Sequence, residues 1–201
     1  MKKRTLALIL ALVLVFGAAV GGTIAYLTDT TDSITNTFTV GKVAITLTET
    51  FNTDTDSDGE EDAWQAQLIP GTTYTKDPVV TVTADSEDCW LFVKFEENGN
   101  PSTYLTYTSN LTAANGWTQG DNTNIPSNVW YRAVAKDATV KSFQLLAGND
   151  DYATGCISVK DTVTNQNMNT AANAQLVYTA YACQKSGFET DAAGAWAKVG
   201  A

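Results

Sequence analysis

Apolar and polar residues alternate with a period of two along most of this chain. Residues 38–51 place Val43, Ile45 and Leu47 on one side of an extended backbone, with alanine and threonine on the other. This alternation predicts a half-buried β-strand. Residues 89–96 carry bulky side chains on both sides, so we expect a central strand with two covered faces. The same criteria predict further strands at 79–84, 129–135, 140–146, 155–160 and 174–184.

Clusters of Gly, Asn, Asp and Pro separate these segments and mark turns. Short strands at this spacing predict an all-β protein, and the pattern fits an antiparallel β-sandwich. Only residues 190–199, rich in alanine around Trp196, are typical of a helix, with Thr190 or Asp191 as the candidate cap. We expect this short C-terminal helix to pack Trp196 against the end of the sandwich.

The N-terminal residues have the order of an export signal. Three basic residues, Lys2, Lys3 and Arg4, precede an apolar run from 6 to 20, and small residues follow. Because signal peptidase requires small side chains at its −3 and −1 subsites, Thr23 and Ala25 predict cleavage between Ala25 and Tyr26. We therefore divide the chain into a signal peptide, 1–25, and a single β-sandwich domain, 26–201. A retained membrane anchor is the alternative interpretation.

The net charge of the chain limits the kinds of molecule that it can bind. Removal of residues 1–25 takes 3 of the 12 basic side chains and leaves 9 against 22 acidic ones, a formal charge near −13. Nucleic acid and anionic lipid are poor partners for such a protein. We expect contact with the membrane only before processing.

The cysteines exclude a disulfide framework. Only three are present, Cys89, Cys156 and Cys183, and they lie far apart in the sequence. We interpret them as small buried side chains on strands. One bridge that involves Cys89 or Cys183 is the alternative, and it would leave one free thiol.

Four segments, taken in order, resemble the TasA/camelysin family. The first is a glycine-rich cleavage region, the second an N-T-F-x-x-G element, the third a PG-x-x-x-x-K turn and the last a late strand. In this sequence they are Gly21 to Asp29, Asn36 to Ile45, Leu68 to Lys76 and Leu176 to Gln184. The resemblance covers both ends of the mature chain well and residues 98–173 poorly.

The resemblance implies a fold, a route of export and a function. It implies a jelly-roll-like sandwich, processing by a SipW-type signal peptidase, and secretion to the extracellular matrix or cell surface of a Gram-positive bacterium. It also implies self-assembly into biofilm-matrix fibres, in which the mature N-terminal segment of one subunit becomes a strand of the next. Residues 26–37 are rich in threonine and have no helix pattern, so we expect an extended segment, which suits a donated strand. The candidate donor residues are Tyr26, Leu27, Ile34 and Phe38.

Two alternative structures are open to the N-terminal segment, residues 26–37. It can be a disordered tail, or an edge strand that pairs within its own subunit. In either case cleavage would not start assembly.

Catalysis has little support in the sequence. The chain contains no histidine, which removes HExxH zinc sites and the Ser-His-Asp and Cys-His nucleophile pairs. Although camelysins have been described as metalloproteases, we expect no enzyme activity and no required cofactor here. A camelysin-like protease is kept as an alternative.

An acidic loop is the candidate metal site. Its D-x-D-x-D-G pattern resembles the start of a calcium loop, because carboxylates at alternate positions can converge on one hard cation. The EF-hand pattern is incomplete, since Gln65 stands where a bidentate Glu is needed. We therefore expect at most weak binding of Ca²⁺, and a solvated hairpin loop is the alternative. The candidate ligands are Asp54, Asp56, Asp58, Glu60 and Asp62.

Five tryptophans raise a further alternative, binding of glycans by stacking of rings on sugars. Most of these rings are more simply explained by packing, and Trp117, in an Asn-Gly-rich loop, is the candidate for an exposed ring. The sequence thus favours a secreted structural subunit of surface or matrix fibres. The alternatives are a calcium-stabilised adhesin or glycan-binding surface module, and the protease.

Overall fold

The computed structural model describes residues 41–49, 68–164 and 174–200 of the 201-residue chain. Short strands dominate these residues, as the alternating pattern predicts. The strands are β1 (Ile45–Thr48), β2 (Thr73–Thr75), β3 (Val79–Val82), β4 (Cys89–Asn98), β5 (Leu105–Tyr107), β6 (Thr118–Gln119), β7 (Val129–Val134), β8 (Ser142–Gln144), β9 (Cys156–Val159) and β10 (Gln175–Gln184). The helices are α1 (Pro101–Tyr104) and α2 (Ala192–Val199). Neither α-helix in the described ranges has the length and apolarity needed to cross a membrane.

The strands form three antiparallel sheets. The large sheet has the order β10-β4-β7-β6, the facing sheet β1-β3-β8, and the third sheet β2-β9-β5. Neighbouring strands are mostly distant in sequence, because the chain passes from β3 in the facing sheet to β4 in the large sheet and returns from β7 to β8. The predicted all-β antiparallel sandwich with a short C-terminal helix is confirmed, and its jelly-roll form stays a prediction from the resemblance.

The main core lies between the facing sheet and one side of the large sheet. Val80 and Val82 of β3 meet Leu91 and Val93 of β4, and all four are at most 1% exposed. Burial of such side chains stabilises a fold by about 1.5–3 kcal/mol each relative to exposure. Alternation along both strands therefore fixes which sides of the two sheets face each other.

Helix α2 covers the other side of the large sheet. The Asp191 side chain caps it by accepting a hydrogen bond of 2.8 Å from the Gly194 N–H. The Trp196 ring lies 5.3 Å, between centroids, from each of Phe92 and Tyr181. The expected cap at Asp191 is confirmed, although the helix begins at Ala192 rather than at 190. Trp196 packs on the sandwich as expected, but on the outer face of the large sheet and not at the end of the sandwich.

The third sheet has its own apolar cluster, built around Leu105, Ile157 and Val159. Tyr178 of β10 packs against both this cluster and the main core. This residue therefore links the third sheet to the sandwich.

The strand predictions hold best where the alternation is strongest. β4 is central, between β10 and β7, and β10 has the predicted alternation. The segment 140–146 contains a strand only at Ser142–Gln144, and Val140 lies outside it, 62% exposed. Strands β2, β5 and β6 had no clear sequence signal because they have only three, three and two residues.

The three cysteines are free. Cys89 pairs in register with Gln184, and Cys183 with Trp90. Adjacent positions on neighbouring strands point to opposite sides of a sheet, so Cys89 faces the main core and Cys183 faces α2. The alternative of one bridge that involves Cys89 or Cys183 is thus wrong. Burial raises the pKa of the Cys89 thiol to about 11.

We predict that a thiol reagent at about pH 8 modifies Cys89 only after unfolding, because the buried thiol is protonated and out of reach. All three cysteines should react in denaturant without a reductant. Cys89→Ser should reduce that number to two. A single reactive thiol in the unfolded, unreduced chain would contradict the prediction.

Candidate assembly edge

Most residues predicted to form functional sites lie outside the described residues. These are the cleavage residues Thr23, Ala25 and Tyr26, the donor residues Leu27, Ile34 and Phe38, and the acidic residues Asp54, Asp56, Asp58, Glu60 and Asp62. Their roles stay predictions. In the ranges that the structure does describe, no group of three or more Cys, Asp or Glu side chains is arranged to hold a metal ion.

The feature of the described fold that bears most directly on assembly is the edge strand β10. It pairs with β4 over ten consecutive residues without a bulge. At about 3.3 Å per residue, this ladder is about 33 Å long. Among the described strands, none pairs with the other side of β10. Half of its backbone hydrogen-bonding groups therefore face away from β4.

The sequence of β10 lacks every common protection of an edge strand. Natural proteins shorten exposed edges, or place Lys, Pro or a bulge there, to prevent pairing with other chains. Gln175–Gln184 reads QLVYTAYACQ and contains no charged residue, no proline and no glycine. The opposite edge of the same sheet, β6, has only two residues. The unprotected edge is therefore confined to one side of the large sheet.

The β10 edge lies next to the edge of the facing sheet, because β1, the edge strand of that sheet, lies beside β10. Leu47 of β1 points to the same side as the buried Val80, yet it is 40% exposed. The Tyr178 hydroxyl is buried there without a hydrogen-bond partner in the described part of the chain. The sandwich thus has exposed apolar surface and an unsatisfied polar group along this side.

A buried ion pair holds the end of β1 in place. Lys76 Nζ donates to both carboxylate oxygens of Glu49 at 2.9 Å, and the two side chains are only 9% and 14% exposed. Burial raises the pKa of the Glu49 carboxyl, and the contacts with Lys76 oppose that rise. The Tyr178 phenol also has a raised pKa, mainly from burial and partly from the charge of Glu49. This ion pair therefore lies close to Tyr178 and to the edge strand β10.

Lys76 is the last residue of the PG-x-x-x-x-K segment. Gly71 of this segment adopts a φ of +75°, and a β-carbon there would come within 2.6 Å of Asp161 Oδ1, so the turn requires glycine. The turn leads into β2, and Lys76 follows directly. Sequence reasoning identified the lysine but missed Glu49, because no local pattern joins residues 27 positions apart.

The expectation that Trp117 is exposed was wrong. Its side chain is 3% exposed and packs edge-to-face on Phe143 at 5.8 Å. The Arg132 guanidinium lies 5.3 Å from the Trp117 ring centroid and 4.0 Å from that of Phe143. The loop is polar, but its tryptophan points into the core and offers no surface for a sugar.

Comparison with known proteins gives no match to a family model, to a curated protein or to a solved structure. The resemblance to the TasA/camelysin family therefore stays a prediction that rests on the four sequence segments. The function has to be argued from the geometry of the chain itself.

We predict that Lys76→Met lowers the free energy of unfolding by about 3 kcal/mol at about pH 7, because it leaves a buried carboxylate without its cation. Glu49→Leu together with Lys76→Met should restore most of the loss. Urea unfolding measures both.

The pH dependence distinguishes this mechanism from lost packing. Because burial raises the pKa of Glu49, the folded chain binds that proton more tightly than the unfolded chain, so this contribution to stability falls as the pH rises through the folded pKa. The defect of Lys76→Met should therefore shrink at about pH 5. Lys136→Met, which removes an exposed pair with Glu87, is the control and should cost much less. An equal defect at both pH values would contradict the assignment.

Proposed function

We propose that this protein is a secreted structural subunit that assembles into extracellular fibres. The N-terminal strand of one processed copy adds to the open side of the next. The observation that carries the proposal is the ten-residue, uncharged edge of β10, with which no other described strand pairs on its outer side. Strand addition to such an edge supplies main-chain hydrogen bonds along its whole length.

The donor segment has a suitable length. Residues 26–37 are twelve in number and would span about 40 Å when extended, against about 33 Å for β10. Tyr26, Ile34 and Phe38 are an even number of positions apart, so an extended backbone places them on one side. That side can cover the exposed apolar surface at Leu47.

Donation from copy to copy also accounts for growth into a fibre. The donated segment and the β10 edge are different surfaces, so the contact is head-to-tail, and such contacts extend into filaments when they do not close a ring. The formal charge near −13 of the processed chain opposes nonspecific association. Association then depends on directional contacts such as strand pairing.

The alternatives have less support. A calcium-stabilised adhesin would depend on the acidic loop, which lies outside the described residues. A camelysin-like metalloprotease with an HExxH zinc site would need histidine ligands, and histidine is absent from the sequence. Cleavage of casein that a chelator abolishes would favour the protease over the structural subunit.

We predict that the processed chain, residues 26–201, forms fibres visible by electron microscopy, whereas residues 38–201 stay monomeric. The truncated chain should instead bind a synthetic peptide of residues 26–37. Fibres from the truncated chain, or a monomeric processed chain at high concentration, would contradict strand donation.

A charge on the β10 edge should block assembly without unfolding the subunit. Val177 lies opposite Glu96 in the register, so Val177→Lys places a cation on the edge next to an acidic neighbour. We predict loss of fibres and little change in stability. Thr118→Lys on β6, the other edge of the same sheet, is the matched control and should assemble normally. Unimpaired fibres from Val177→Lys would exclude β10 as the acceptor edge.

A further inference from the structure

A cleft of about 440 Å³ lies at the end of the large sheet, where β4, β6 and β7 meet the loop before β7. Its volume is within the usual range of small-molecule sites, roughly 300–1,000 Å³. The lining includes Phe95, Glu97, Ser127, Asn128 and Trp130. It also includes Glu96 and Asn98, which with Glu97 pair with the inner side of β10, but no residue of β10 itself, so the outer side of β10 is left free.

Two aromatic rings form one side of this cleft. Trp130 lies opposite Val93 in the register, and Phe95 follows Val93 by two residues on β4. Both rings therefore stand on the same side of the sheet as near neighbours. Phe95 is held by a stacked contact with Tyr178 at 4.9 Å and an edge contact with Tyr107 at 6.5 Å. Both side chains are half-buried, so part of each is open to solvent.

Polar groups surround the two rings. The backbone of Asn128 is fixed, because its carbonyl accepts a 2.9 Å hydrogen bond from the Phe95 N–H. Gln119 Nε2 fixes the neighbouring residue by donating to the Ser127 carbonyl at 2.8 Å. The side chains of Asn128, Ser127 and Glu97 make no hydrogen bond to any other described residue. The cleft thus offers an amide, a hydroxyl and a carboxylate beside two aromatic rings.

We propose that this cleft binds an uncharged hexose unit of a polysaccharide. The negative face of an aromatic ring attracts the C–H groups on one side of a pyranose, while amide, hydroxyl and carboxylate groups exchange hydrogen bonds with the sugar hydroxyls. The acidic charge of the protein disfavours anionic polysaccharides. The ligand therefore has many hydroxyl groups, no negative charge, and at least one face of C–H bonds.

This inference is independent of fibre formation. A sugar site on β4, β6 and β7 leaves the β10 edge free, so an assembled or a monomeric protein can hold the ligand. The experiment therefore uses binding and not assembly as its readout.

The test is calorimetric titration of residues 26–201 with three hexasaccharides. They are cellohexaose, which is neutral, hexagalacturonate, which is anionic, and chitosan hexamer, which is cationic. Cellohexaose should bind with a Kd on the order of 1 mM or below, and more tightly than both charged probes. No binding of cellohexaose up to about 10 mM, or a preference for a charged probe, would overturn the proposal.

Variants locate the binding to this cleft. Trp130→Ala and Asn128→Ala should each weaken binding by about tenfold. Asn128→Ala guards against misfolding, since only the backbone of Asn128 is used by the fold. The controls are Trp90→Ala, which removes a half-buried ring from the opposite side of the sheet, and Asn124→Ala in the same loop. Binding unchanged by Trp130→Ala and Asn128→Ala, or lost equally in the controls, would place the sugar elsewhere and overturn the proposal.

Discussion

Backbone N–H and C=O groups need hydrogen-bond partners, and the outer side of β10 has a row of them with no protein partner among the described residues. The strand is ten residues long, uncharged and without a bulge, so nothing in its sequence opposes pairing with another chain. The rest of the sandwich can be understood as support for this edge. β4, which pairs with β10 along its whole length, is covered by the facing sheet on one side and by α2 on the other.

Contacts between residues that are far apart in the sequence hold β10 and its neighbours in place. Tyr178 ties β10 to the third sheet, and the Lys76–Glu49 pair fixes the end of β1 nearby. Buried ion pairs add little net stability compared with apolar residues, but breaking one is costly. We therefore infer that the Lys76–Glu49 pair serves to position β1 next to β10 rather than to increase the overall stability of the fold. The cleft at Trp130 is connected to β10 as well, because Phe95 in the cleft stacks on Tyr178 of β10.

The sequence predicted the individual strands and the helix better than it predicted which strands pair with each other. Strict alternation gave β4 and β10, and the alanine-rich segment gave α2, because these signals are local. The identity of the open edge could not be derived, since it depends on which distant strands pair. The same reason hid Glu49 as the partner of Lys76. Trp117 was misjudged because an Asn-Gly-rich loop is polar on average, while one of its side chains fills a gap beside Phe143 and Arg132.

The ten-pair ladder between β4 and β10 has a mechanical consequence. A pulling force directed along these two strands loads all of their hydrogen bonds in shear, and they must yield together. A force directed across the strands opens the same ladder one pair at a time, at far lower load. A material built from this subunit would therefore be stiff along the direction of β10 and would tear easily at right angles to it.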